Sequence, residues 1–294
     1  MTGPMTGAPA LVSTEWLADQ LGAPDFKVID GTWHMPMWNR DAHAEYRARH
    51  IPGAVFFDID LIADTGSPLP HMLPSAETFS ARVRDLGLGN GTRIVVYDSH
   101  GIMSAPRVWW MFRVFGHENV SVLDGGLPKW LAEARPVESG EPTPPTGRVI
   151  APTGDRPGDR LVRDRERITA DLGERREQVV DARAAGRFTG DEEEVWPGRR
   201  RGHIPGALNL PFTELVAPAT KTMLPRDRLA ERVRAAGVDL SRPVVTSCGS
   251  GITACVVALA LHQLGRHDVA VYDGSWAEWG LPGDLPVETG PGSR

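Results

Sequence analysis

Apolar residues fall into two kinds of run along this chain. Runs such as Val28-Ile29, Ile94-Val95-Val96 and Val244-Val245 are short and continuously apolar. Longer segments, from Ser75 to Leu86 and from Arg226 to Ala236 after Pro225, space their apolar residues three and four apart, as one face of a helix requires. A strand that is apolar at every position is buried on both faces. The alternation therefore predicts an α/β fold, with mainly parallel sheets covered by helices on both faces.

The order of elements occurs twice. Arg49-His50-Ile51-Pro52-Gly53-Ala54 returns as Gly202-His203-Ile204-Pro205-Gly206-Ala207. Val96 matches Val245, Gly116 matches Gly265 and Asp124-Gly125 matches Asp273-Gly274, each pair 149 residues apart. A strand ending in an acid opens each copy, at Asp30 and at Asp181. A period this long describes two copies of one domain, not a solenoid. The expected division is a first, non-catalytic domain over 10–138 and a second, catalytic domain over 165–288. Between them, 139–164 is rich in Pro, Gly and charge and reads as a linker.

Composition narrows the function. The 294 residues are 41% hydrophobic and 24% charged, which is ordinary for a folded chain. A net charge of −6 argues against a nucleic-acid partner. No run approaches the ~18 apolar residues of a membrane span, so no membrane partner is expected. Met1 to Trp16 has neither a basic start nor a long apolar core, which reads as a cytoplasmic protein. The chain has two cysteines, Cys248 and Cys255. On one helix they would stand about 10 Å apart, too far for a disulfide. Neither they nor the nine histidines show metal-ligand spacing, so no metal is expected.

The chemistry concentrates in Val244-Val-Thr-Ser-Cys248-Gly-Ser-Gly-Ile-Thr-Ala254. Cys248 follows a predicted buried strand, at the carboxyl end where open α/β sheets bind ligands. Gly249 and Gly251 let the backbone curl its N–H groups inward, and a helix begins directly afterwards. These features predict a thiolate nucleophile at Cys248. Cys255 lies among Ala254, Val256 and Val257 and reads as core. The matching position in the first copy is Ser99, so that copy lacks the thiol.

The two HIPGA turns, Ser104-Ala105-Pro106-Arg107-Val108-Trp109-Trp110, and above all the Cys248 loop resemble the two-domain rhodanese-type sulfurtransferases, from about Leu11 to Glu288. Cys-Gly-Ser-Gly followed by Thr253-Ala254 is similar to the 3-mercaptopyruvate sulfurtransferases within that family. The resemblance implies that Cys248 takes sulfur from 3-mercaptopyruvate as a persulfide, releases pyruvate, and passes the sulfur to cyanide or a thiol acceptor such as thioredoxin. It implies no metal or organic cofactor. It assigns a proton relay to Ser250, His71 and Asp60, the last two in Phe57-Asp-Ile-Asp60 and His71-Met-Leu-Pro74. Arg187 is the implied holder of the substrate carboxylate. Gly249, Gly251, Ile252 and Thr253 form the substrate loop, and Trp33 lies near the pocket. A second family arginine falls at Trp196 here, which bears on donor choice.

Other readings compete. Thiosulfate as the donor is the nearest, although Gly249 and Ser250 bring no positive charge to a dianion. A cysteine phosphatase needs an arginine six residues after the thiol, and Ala254 stands there. A non-catalytic binding module fits the first copy better than the second. Arg199 to Arg201 read as a solvated run balancing Asp191 to Glu194, with a substitute carboxylate holder as the alternative. Arg107 is a candidate interface residue, and Trp109 and Trp110 read as helix packing. Gly87, Gly89 and Gly91 precede a strand and read as a turn, not a phosphate loop.

Overall fold

The computed structural model describes residues 8–89, 91–141 and 158–292. Most of the expected linker lies outside these residues. The chain separates into two compact units. Unit 1 takes 1–65, 73–158 and 218–222, and unit 2 takes 66–72, 159–217 and 223–294.

Unit 1 holds strands β1 (Leu11–Val12), β2 (Phe26–Asp30), β3 (Ala54–Phe56), β4 (Arg93–Tyr97) and β5 (Val120–Leu123). They form one parallel sheet in the order β1-β5-β4-β2-β3. Its helices are α1 (Thr14–Gln20), α2 (Ala42–Ala48), α3 (Ala76–Asp85), α4 (Ala105–Val114) and α5 (Gly126–Ala132). Local chemistry sets where they begin. The side chains of Ser13, Asp41 and Ser75 accept the amides of Trp16, Ala44 and Thr78, satisfying donors that the first turn leaves open. Leu17, Val28, Ile51, Val95, Tyr97 and Trp130 form the core on one side of the sheet.

Unit 2 repeats the plan. Helices α6 (Gly158–Leu161), α7 (Arg165–Asp171), α8 (Ala185–Thr189), α9 (Arg226–Ala235), α10 (Ala254–Gln263) and α11 (Ser275–Trp279) surround a second parallel sheet. Its strands are β6 (Val162–Arg163), β7 (Gln178–Asp181), β8 (Leu208–Asn209), β9 (Val244–Ser247) and β10 (Ala270–Tyr272). Their order, β6-β10-β9-β7-β8, is that of unit 1. The continuous apolar runs lie in β2, β4 and β9, all interior strands of their sheets, so both faces need covering. Helix α10 is buried from Ala254 through Leu261 because it lies over the sheet with apolar residues all round. Among the described residues no helix is long and apolar enough to cross a membrane.

Two other readings of the first copy have simple outcomes. Trp109 and Trp110 are buried in α4, with Arg113 over the first ring at 4.7 Å and Arg107 over the second at 4.6 Å. Gly87 and Gly91 take positive φ on the way from α3 to β4, as a turn requires.

Candidate active site

Cys248 directly follows β9 and is buried. Helix α11 clamps its loop from the side. The Cys248 amide donates to Ser275 Oγ at 3.1 Å, and that hydroxyl donates to the Tyr272 carbonyl at 2.8 Å. Trp276 and Ala277 amides donate to the carbonyls of Cys248 and Gly249, at 2.9 and 2.8 Å. Gly251 turns the chain with φ of 80°, and α10 starts at Ala254. Its positive end thus faces the loop.

Unit 1 carries the matching loop without a thiol. There Asp98 stands one residue before Ser99. Its carboxylate accepts the amides of His100, Met103, Ser104 and Ala105, all at 2.8–2.9 Å. The loop is closed on its own anion. In unit 2 residue 247 is Ser, and among the described residues no carboxylate takes the matching amides of Gly249, Ile252, Thr253 and Ala254. The loop beside Cys248 thus lacks the internal carboxylate that its counterpart in unit 1 closes on.

Beside the loop, Arg187 and Trp196 come close to Gly249. A Cβ at Gly249 would stand 3.1 Å from Arg187 Nη2 and 3.3 Å from Trp196 Nε1, so only glycine leaves both side chains in place. Buried Glu194 holds Arg187 through Nε and Nη2, at 3.2 and 2.6 Å. The same carboxylate pairs with Arg183, which also bonds Asp181 at 2.6 Å and lies 4.3 Å over the Trp276 ring. Burial alone would lower the Arg183 pKa, but Asp181 and Glu194 outweigh it and hold it above the usual arginine value.

The His71 ring meets the Trp196 ring edge-on at 5.9 Å, and both residues belong to unit 2. His71 is buried at φ of 60°. Unit 2 thus holds Cys248, Gly249, Ser250, Gly251, Ile252 and Thr253 in one loop, with Arg187 at its edge and His71 against Trp196. Trp33 and Asp60 are joined in unit 1, where the indole N–H donates to Asp60 Oδ2 at 3.2 Å. Cys255 is buried in α10 with its thiol on the Gly251 carbonyl at 3.3 Å, a core residue that steadies the loop.

The arginine run differs from the solvated face expected of it. Arg199 donates to the Ala277 carbonyl at 2.9 Å. Arg200 donates to the carbonyls of Trp279 and Leu285 at 2.9 and 2.7 Å. These two staple the 196–201 segment to α11 and the chain beyond it, because carbonyls at a helix end have no partner within the helix. Arg201 alone behaves as expected, pairing with exposed Glu193. Glu194, read as one member of an acidic surface run, is instead the buried bridge between Arg183 and Arg187. Ser275 and Glu194 were not legible as site residues. The one available signal was a serine where the first copy has Gly126.

Comparison with known proteins places both units in one family. The rhodanese-like domain family matches residues 13–133 and again 164–281. The human protein named 3-mercaptopyruvate sulfurtransferase is 46% identical, over 92% of this chain and 91% of its own. An Arabidopsis thaliana protein named thiosulfate/3-mercaptopyruvate sulfurtransferase 1, mitochondrial, is 41% identical, over 98% of this chain and 80% of its own. The crystal structure of SseA from Escherichia coli, described as a 3-mercaptopyruvate sulfotransferase, superposes with a TM-score of 0.82 at 41% identity, over 92% of this chain and all of that one. With both units matched, the chain belongs to the rhodanese family, as a tandem of two rhodanese-like domains.

Proposed function

We propose that this rhodanese is a 3-mercaptopyruvate sulfurtransferase working through Cys248. The carrying observation is the Cys248 loop, whose amides are claimed by a carboxylate in unit 1 and by none in unit 2. The Cys248 thiolate attacks the sulfur of 3-mercaptopyruvate. An S–S bond forms, the C–S bond breaks, and its electron pair passes to carbon as the pyruvate enolate. A proton delivered to that carbon gives pyruvate. The persulfide then gives its outer sulfur to cyanide or to a thiol such as that of thioredoxin, which restores the Cys248 thiolate. In this reading Ser250 and His71 move the proton, and Asp60 is the third member of the relay. Gly249, Gly251, Ile252 and Thr253 shape the loop around the substrate, and Trp33 belongs to the pocket. The protein acts in the cytoplasm.

Arg187 holds the substrate carboxylate. Glu194 supports this role by fixing two of its N–H groups, which aims the guanidinium at the loop edge. Arg187→Ala is expected to raise KM for 3-mercaptopyruvate by roughly ten- to a hundredfold, with a smaller change in kcat. An unmoved KM would assign the carboxylate to another group.

The deciding experiment compares kcat/KM for 3-mercaptopyruvate and for thiosulfate with one thiol acceptor, in the wild type and in Cys248→Ser. The expected result is a large preference for 3-mercaptopyruvate, abolished by the substitution. A preference for thiosulfate would replace the donor, and turnover that survives in Cys248→Ser would remove the mechanism.

A further inference from the structure

The two units also differ at the acid that ends the second strand of each sheet. In unit 2, Asp181 is covered by the Arg183 guanidinium, which also bonds Glu194 and the Gly202 carbonyl and stacks on Trp276. In unit 1 the acid is Asp30, and the residue two positions on is Thr32. Where Arg183 would reach, unit 1 has a cavity of about 590 Å³. Three of its lining residues, Arg49 among them, occupy the places of Arg183 neighbours in unit 2, and Arg40 lines it as well. Asp30 stands for Asp181 at the end of its strand. Arg49 stands for Gly202, directly before the HIPGA turn, and Leu127 stands for Trp276, second in its helix.

Two observations show that this cavity is polar at its floor. Asp30 is buried and accepts the Thr32 amide at 2.9 Å, yet among the described residues no Lys or Arg pairs with it. Ser99 Oγ, also in the lining, is buried without a hydrogen-bond partner among the described residues. A buried carboxylate facing a cavity favours a cation there. Arg40, on the rim, is already held by Glu45 through Nε and Nη2.

We propose that the unit 1 cavity is a binding site for a guanidinium group, which takes the place that the Arg183 side chain fills in unit 2. The group comes either from a free small molecule or from an arginine side chain of another polypeptide; both present the same planar, forked donor set to Asp30. Binding there needs no sulfur chemistry.

Calorimetric titration of the full chain with methylguanidinium chloride, against sodium chloride at equal ionic strength, tests this. Saturable binding is expected, weakened roughly tenfold or more in Asp30→Asn. Thr32→Arg should supply the guanidinium from within, raising Tm and abolishing methylguanidinium binding. A parallel titration with the tripeptide Gly-Arg-Gly separates the sources. Binding of the peptide at least as tight as that of methylguanidinium assigns a polypeptide arginine, and its exclusion assigns a free molecule. Absence of saturable binding to the wild type, or equal binding to wild type and Asp30→Asn, would overturn the proposal. So would a Thr32→Arg variant that folds and still binds methylguanidinium.

Discussion

Ser275 has φ of 48°, a conformation that costs a residue with a side chain about 1 kcal/mol. Unit 1 has Gly126 at the matching place, with φ of 51°, where a Cβ would lie 2.5 Å from the Asp98 carbonyl. Serine is kept in unit 2 because its hydroxyl holds the Cys248 amide and reaches the Tyr272 carbonyl. The backbone strain is thus tied to the orientation of the Cys248 peptide. Ser275→Ala keeps the strain and loses both bonds. Its kcat for sulfur transfer is expected to fall roughly tenfold, with KM little changed, as loss of a positioning hydrogen bond predicts. Steady-state kinetics on the folded variant check this; an unaltered kcat would mean that Trp276 and Ala277 hold the loop without help.

At the level of elements, the HIPGA turn is a staple and not a catalytic motif. In unit 1, His50 and Glu138 exchange two main-chain hydrogen bonds, each 2.9 Å. His203 and Glu288 do the same in unit 2, at 2.8 and 3.0 Å. Each glutamate also accepts the amide of the turn glycine, Gly53 or Gly206. The imidazole of each histidine bonds a carbonyl at 2.8 Å, that of Tyr46 or of Phe188. The turn therefore ties the tail of each repeat to its third strand. The His203 ring also stacks on Phe188 at 3.7 Å. His203→Ala removes a buried bond and leaves a void, with an expected loss of about 3 kcal/mol in unfolding free energy. Urea denaturation measures it, and kcat of the folded variant should stay near that of the wild type. A loss within the ±0.5 kcal/mol typical of surface changes would refute the staple.

Across the whole molecule, one fold carries two electrostatic solutions, and the difference appears in the pH dependence of stability. Burial raises the Asp30 carboxyl from 3.8 to about 6; Thr32 and the Tyr97 hydroxyl oppose the rise, and Asp98 adds to it. Between about pH 4 and 6 the folded chain keeps a proton that the unfolded chain has released. Stability from this group is full below pH 4, falls as pH rises through 6, and is then lower by up to about 3 kcal/mol. Asp30→Asn removes that slope. Its unfolding free energy should match the wild type near pH 4 and exceed it by about that amount at pH 7, by denaturant titration at a series of pH values. An unchanging difference from pH 4 to 7 would refute the burial argument. The repeat, the parallel α/β class and the turn after Cys248 were legible in the residue order because each rests on local features. Continuous apolar runs mark strands buried on both faces, and glycines beside Cys248 mark a tight turn into a helix. Charges gave no such signal. Asp191 to Glu194 and Arg199 to Arg201 read as paired surface runs, yet Glu194 bridges two arginines inside unit 2, and Arg200 caps carbonyls near α11. Ser275 looked like any serine in a turn. Whether a charge is buried against a partner, or a hydroxyl reaches a distant amide, depends on which segments meet in space. Spacing along the chain carries no information about that, and only the tertiary structure decided it.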